Sequence, residues 1–281
     1  MATPEIGLFL SVLRCPDVER ACALAHDLGF RVIQCGKLAD HVYTADGATM
    51  LAAVLRRFQL EATALTLVYD GESYASIDAV RRTVGLVPPE TRLSRLAYSR
   101  RCIDTASAIG VPLVTAHLGF IPSDTTDPDY GSILAAVDDL ALYGRARGVQ
   151  LGLETGQETA EELLTFIARL TVPVGVNFDG ANFVAYGIQD PHIALELLRP
   201  HLVGVHVKDY THPISRELLG RPCPLGEGAA RVLDTIALLA TSGYSEPIIL
   251  ETYDGADPIQ TLTSARNLVT QYWERLSHQD L

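Results

Sequence analysis

The sequence predicts an α/β protein folded as a single (β/α)8 barrel of the TIM type over residues 1–281. Three observations carry that expectation. Short apolar runs rich in Val, Ile and Leu alternate eight times with longer stretches of helical period, the pattern of βα units on a parallel sheet. A length of 281 residues suits one such barrel or two ordinary domains. No Pro/Gly/Ser-rich linker or shift of composition divides the series.

The strand candidates, in order, are "IGLFLSV" (6–12), "RVIQC" (31–35), "LEATALT" (60–66), "PLVTAH" (112–117), "VQLGLE" (149–154), "PVGVNFD" (173–179), "LVGVHVKD" (202–209) and "PIILET" (247–252). Helix ends are readable between them. Asp17 after Pro16 opens the first helix and Gly29 closes it, and Gly110, Gly148 and Gly243 stand in the same place, a few residues ahead of a strand, where a left-handed C-cap belongs. Eight helices are expected, the last over roughly 257–276. Eight repeats in this length favour a closed barrel over a doubly wound open sheet.

Composition narrows the function classes. No stretch of about 18 or more apolar residues is present, which argues against a membrane span. The start "MATPEIGLFLSVLRCPD" lacks the basic region of a signal peptide, so a cytoplasmic protein is expected. Five scattered cysteines without a CxxC pair suggest neither a disulfide framework nor a thiolate zinc site. A net charge of -12 with no Lys/Arg cluster repels a phosphate backbone, so no nucleic-acid partner is expected. No Walker or GxGxxG pattern supports a nucleotide.

In a (β/α)8 barrel the chemistry sits at the carboxyl ends of the strands. The residues ending the runs are Gln34, Thr66, His117, Glu154, Asp179, His206 with Lys208 and Asp209, and Glu251. Strands 5 to 8 thus end in Glu, Asp, His and Glu. Each has an ordinary reading: Glu154 and Glu251 as helix caps, Asp179-Gly180 as a turn, His206 between two valines as a satisfied core histidine. Burying a carboxylate at the end of an apolar run is costly unless it is coordinated or paired. Three carboxylates converging without a cation would be forced to take up protons. One divalent metal resolves that conflict, and an O3N donor set suits Mn²⁺, with Mg²⁺, Co²⁺ and Zn²⁺ also compatible.

The stretches "GLETGQE", "VNFDGAN", "HVKD", "LGEG" and "ILET", in that order and roughly at that spacing, resemble the xylose-isomerase-like TIM barrel superfamily of sugar isomerases and epimerases. That group includes ketose 3-epimerases, hydroxypyruvate isomerase, inosose dehydratase and, more distantly, endonuclease IV. The resemblance covers nearly the whole chain. It implies that Glu154, Asp179, His206 and Glu251 bind one divalent cation, and that Glu154 and Glu251 are the acid/base pair. It also implies a homo-oligomer, dimer or tetramer.

The chemistry so implied is enediolate formation on a ketose or keto-polyol. A cation holding the substrate's carbonyl and neighbouring hydroxyl stabilises the enediolate, while one glutamate removes the α-proton and the other returns it. Supporting substrate-binding positions are His117, which either meets a hydroxyl or is a core histidine; Glu158, a substrate contact or a cap for the helix near Thr159; and Lys208, bound to a substrate oxygen or paired with Asp209. Asn182 stands where some epimerases carry a substrate-binding histidine. Glu227 in "PLGEG" orients His206 or closes the site. The long connection 67–92, with Tyr69, Tyr74 and Arg81, is a candidate lid.

Competing readings follow from the same residues. Hydride-shift isomerisation needs a second metal and an Asp-x-Asp set, where Lys208-Asp209-Tyr210 stands instead. A dehydratase or lyase on a keto-sugar or inosose shares the metal and the enediolate. An endonuclease needs a histidine-rich mouth and a basic groove, and only His117 and His206 end strands here. A sugar- or metal-binding barrel without catalysis would bind metal but exchange no α-proton.

Overall fold

The computed structural model describes residues 4–255 and 257–279. Eight parallel strands close into one barrel in sequence order, β1 (Ile6–Phe9), β2 (Val32–Cys35), β3 (Glu61–Leu67), β4 (Leu113–Ala116), β5 (Gln150–Glu154), β6 (Gly175–Asp179), β7 (Leu202–Val207) and β8 (Ile248–Leu250), with β8 pairing back onto β1. Ten α-helices lie among the described residues: α1 (Val18–Asp27), α2 (Ala45–Arg57), α3 (Ile77–Thr83), α4 (Pro89–Ile109), α5 (Pro128–Arg145), α6 (Ala160–Ile167), α7 (Gly180–Tyr186), α8 (Pro191–Leu198), α9 (Val232–Thr241) and α10 (Pro258–Gln279). No helix is long and apolar enough to cross a membrane among the described residues.

Each strand expected from the sequence is present, and the departures are local. The run 6–12 stops as a strand at Phe9, because Leu10–Leu13 coil into a 3-10 turn that ends on Arg14 in the left-handed region. Leu10, Val12 and Leu13 are all buried, so an apolar run alone could not separate that turn from a strand. Helix α1 begins on its Asp17 cap, whose side chain accepts from Arg20 N, and Gly29, Gly110, Gly148 and Gly243 all have positive φ. Two helices exceed the eight expected: α3 forms inside the 67–92 connection, and the segment after β6 is divided into α7 and α8 by Gly187 at φ +66°.

Side chains alternate along each strand between the surrounding helices and the barrel interior. Phe178 and Val176 are fully buried in the main apolar core, while Asp179 and Asn177 point inward with Glu154. Glycine makes room below them: a Cβ on Gly175 would fall 2.2 Å from Val203 Cγ1. The room at Gly175 is taken by the Val203 side chain, whereas a Cβ on Gly204 would fall 2.2 Å from Asn177 Oδ1, so that glycine makes the room for the polar side chain. Strand register then fixes the site, because Asp179 lies beside His206 and Glu154 beside Asn177.

Candidate functional site

Strands β5 to β8 bring Glu154, Asp179, His206 and Glu251 together at the carboxyl end of the barrel. One donor atom from each lies within 4.8 Å of the others, and all four residues are buried. His206 Nδ1 stands 2.9 Å from Glu251 Oε2 and 3.4 Å from Glu154 Oε1. Its other nitrogen, Nε2, is 2.7 Å from Gln34 Oε1. Asn177 Nδ2 donates to Glu154 Oε2 at 2.6 Å, and the Tyr253 hydroxyl donates to Glu251 Oε1 at 3.1 Å.

Asp179 makes the turn and also faces the other three donors. Its Oδ1 accepts from Ala181 N at 3.0 Å, capping α7, while Oδ2 is buried and receives no hydrogen bond. The Lys208 ammonium sits 2.8 Å from that Oδ2, an ion pair without the alignment of a hydrogen bond, and 2.9 Å from Glu251 Oε2. A buried carboxylate oxygen that receives no hydrogen bond, among two further carboxylates and an imidazole nitrogen, makes a donor set that could hold a divalent cation.

Charge compensation shows in the proton affinities. Burial pushes the Asp179 carboxyl up to about 7, outweighing the pull of the Lys208 ammonium. Burial also opposes the charge on Glu251, but Lys208 and His206 hold its carboxyl well below the usual range. Glu154 is lowered in the same way, burial being outweighed by the His206 and His117 imidazoles together. His206 rises to about 10, since Glu154 and Glu251 hold its proton against the effect of burial. Without a metal, therefore, one proton-bearing imidazole and one ammonium are the counter-charges of Glu154 and Glu251, while Asp179 keeps a share of its own proton near neutral pH.

A cavity of about 470 Å³ opens above the group, lined by Glu154, His206, Lys208 and Glu251, with His117 and Asn182 on its walls. His117 Nε2 lies 3.7 Å from Glu154 Oε1, beyond hydrogen-bond reach, and its Nδ1 has no partner. Asn182 is anchored by Nδ2 donating to Thr155 O at 3.0 Å. Lys208 pairs with Asp179 and Glu251 rather than with Asp209. Asp209 instead accepts from the backbone N–H groups of Tyr210, Gly226, Gly228 and Ala230, and so gathers the "LGEG" loop. A Cβ at 228 would meet Asp209 Oδ1 at 2.2 Å, which explains the glycine there.

Other positions lie elsewhere. Glu158 is buried but lines a separate cavity of about 140 Å³ with Glu161 and Glu162. The cap of α6 is Thr159, in a reciprocal pair with Glu162. Glu227 is exposed, and His206 is oriented by Gln34 and Glu251 instead. Of Tyr69, Tyr74 and Arg81 only Tyr74 lines the main cavity, beside Leu67, Val68 and Glu72 of the same connection. Tyr69 turns into the core and bonds Ser99 at 2.9 Å, and Arg81 stacks 4.1 Å over the Phe120 ring. Gln34 stands in the sequence only as the end of the second strand, with no role attached, and Asn177 is not among the strand ends, although the period-2 alternation back from Asp179 points Asn177 at the site.

Two substitutions test this arrangement. Gly156, at φ +135°, brings its backbone against Asn182, where a Cβ would fall 2.2 Å from Asn182 Cβ. Gly156→Ala is expected to cost about 1–3 kcal/mol of stability, seen in urea unfolding, by displacing the loop that follows Glu154 from Asn182. For Glu158, burial and the neighbouring Glu162 raise the carboxyl to about 8. Its folded value lies above its unfolded one, so its favourable contribution is fully present below about pH 4.5 and is lost as pH rises through 8. Glu158→Gln is expected to flatten the fall in unfolding free energy between pH 5 and pH 8 by an amount on the order of 4 kcal/mol, measured by urea unfolding at the two pH values.

Residues 22–270 match the family model described as xylose isomerase-like TIM barrel. A solved xylose isomerase domain protein from Planctomyces limnophilus is 31% identical, with 99% of this chain and 100% of that one covered at a TM-score of 0.87. A D-tagatose 3-epimerase-like protein is 16% identical, with 99% and 100% covered at a TM-score of 0.76. A xylose isomerase-like TIM barrel protein from Mycobacterium smegmatis, solved in complex with magnesium, is 19% identical, with 98% of each chain covered at a TM-score of 0.72. No curated protein matches the chain.

Proposed function

The chain belongs to the xylose isomerase-like TIM barrel family, and from that premise we propose that it is a divalent-metal-dependent isomerase or epimerase of a ketose or keto-polyol. The observation that supports this most directly is the placing of Glu154 and Glu251 on either side of His206 Nδ1, both on the wall of one cavity. Glu154, Asp179, His206 and Glu251 would hold the cation, Mn²⁺ being our first choice and Mg²⁺, Co²⁺ or Zn²⁺ the alternatives. When bound, it supplies Lewis acidity toward the substrate's carbonyl and neighbouring hydroxyl oxygens.

The protein's own groups do the rest. One glutamate takes the α-proton and the other delivers a proton to the opposite face or to the adjacent carbon. Asn177 fixes the Glu154 carboxylate from below, and Tyr253 and Lys208 fix Glu251, so each keeps one orientation as the proton moves. His117 and Asn182 are proposed to meet substrate hydroxyls from the cavity wall. The D-tagatose 3-epimerase-like and magnesium-bound relatives agree with a sugar substrate and a metal. Five free cysteines suit the reducing cytoplasm.

Elimination is the second reading, favoured by one feature: the Tyr253 hydroxyl beside Glu251 offers an acid to a departing β-hydroxyl. One experiment separates the two. The Mn²⁺-loaded protein is incubated in D2O with ketoses, inososes and keto-glycosides, the metal is chelated, and the products are examined by NMR. Deuterium at an α-carbon of an intact sugar is expected. Loss of water or of an aglycone would move the assignment to a lyase, and metal binding without exchange in any substrate would leave a non-catalytic barrel.

A further inference from the structure

We propose that Gln34 is a positioning residue that presents His206 to the cation, by fixing which of its ring nitrogens carries the hydrogen. The inference rests on the metal-dependent reading above. Gln34 is the polar member of β2, whose other residues are Val32, Ile33 and Cys35, and it is 2% exposed. A buried amide inside an apolar strand is unfavourable unless it is hydrogen-bonded. Its carbonyl Oε1 lies 2.7 Å from His206 Nε2. An amide oxygen has no hydrogen to give, so in this bond Nε2–H is the donor. With Nε2 so occupied, the lone pair of the neutral ring is on Nδ1, which faces Glu154 and Glu251.

The contact is long in sequence and crosses the barrel. Gln34 and His206 are 172 residues apart, on β2 and β7, which are separated in the closed sheet by β8 and β1. Gly204, two residues before His206 on the same inward face, makes room for Asn177 in the same layer. A Cβ there would fall 2.2 Å from Asn177 Oδ1 and 3.8 Å from Gln34 Nε2. Thus Gln34 under His206 and Asn177 under Glu154 form a polar layer beneath the four donors. Hydrogen bonds of this kind to the far nitrogen of a ligating histidine orient the ring and raise its basicity.

The test compares wild type, Gln34→Met and Gln34→Glu. Mn²⁺ affinity is measured by calorimetry, melting temperature is measured without metal, and the Mg²⁺-loaded proteins are examined by 15N NMR of histidine. Gln34→Met, similar in length but without the acceptor, is expected to weaken Mn²⁺ binding about 10- to 100-fold. Gln34→Glu, which retains an acceptor oxygen, should restore it to within a few-fold. In the loaded wild type the His206 proton should be on Nε2 and protected from exchange, and in Gln34→Met that protection should be lost. A merely structural role would lower the melting temperature without moving the Mn²⁺ affinity. Wild-type affinity in Gln34→Met, or a His206 proton on Nδ1 in the loaded wild type, overturns the proposal, and the second outcome needs no variant to fold. If the wild type binds neither cation, the metal-dependent function falls with it; if it binds and Gln34→Met binds equally well, only the role of Gln34 falls.

Discussion

Glu154→Gln and Glu251→Gln are each expected to reduce turnover by about 10²- to 10⁴-fold, the usual contribution of a positioned acid or base. The two losses should differ in kind. If the glutamates serve opposite faces of the enediolate, removing one leaves the other able to exchange the proton on its own side. Each variant should then wash deuterium from D2O into one stereoisomer of the substrate while failing to convert it into the other. NMR of the recovered sugar reads both events in one sample. Because both residues also belong to the four-donor group, Mn²⁺ affinity must be measured alongside and the assay run at saturation. A glutamine lacks the charge but keeps an oxygen, so the group would fall from three carboxylates to two without losing a donor position. Turnover close to wild type in both variants at saturating Mn²⁺ would exclude the two as the acid/base pair.

The four donors were legible in the sequence because two regularities coincide. A barrel places strand ends at one rim, and four successive apolar runs end in Glu, Asp, His and Glu. What could not be read was which groups face one another across the barrel. Lys208 follows His206 by two residues and shares its inward face, yet adjacency in sequence suggested Asp209 as its partner; strand pairing gave it Asp179 and Glu251. Asp209 was then free to bind four backbone N–H groups of the following loop, a contact that depends on a glycine at 228. Glu158 sits four residues beyond Glu154, but the turn through Gly156 carries it to a different cavity. The Gln34–His206 contact spans 172 residues and leaves no local periodicity to detect.

Lys208→Met should destabilise the metal-free protein by about 3–5 kcal/mol, because it removes the cation from a buried ion-paired group and leaves the anions behind. The lysine is 7% exposed and pairs with Asp179 at 2.8 Å and Glu251 at 2.9 Å, so water cannot take its place at low cost. In a chain of this size such a loss corresponds to a fall of roughly 10 °C in melting temperature. The pH dependence has a definite sign. Asp179 already has its carboxyl raised to about 7 by burial, and without the ammonium it rises further. A carboxyl raised on folding contributes stability at low pH that is lost as pH rises through its folded value. The penalty of Lys208→Met should therefore be smaller near pH 5, where Asp179 holds a proton and only the loss at ionised Glu251 remains, and larger at pH 8, where both carboxylates lose their partner. A divalent cation supplies the missing charge, so Mn²⁺ should raise the melting temperature of the variant more than that of wild type, where ammonium and metal share the same carboxylates. Scanning calorimetry at pH 5 and pH 8, with Mn²⁺ and with chelator, yields all four comparisons. Equal melting temperatures for variant and wild type at pH 8 in chelator would show that Lys208 does not balance the charge of this group.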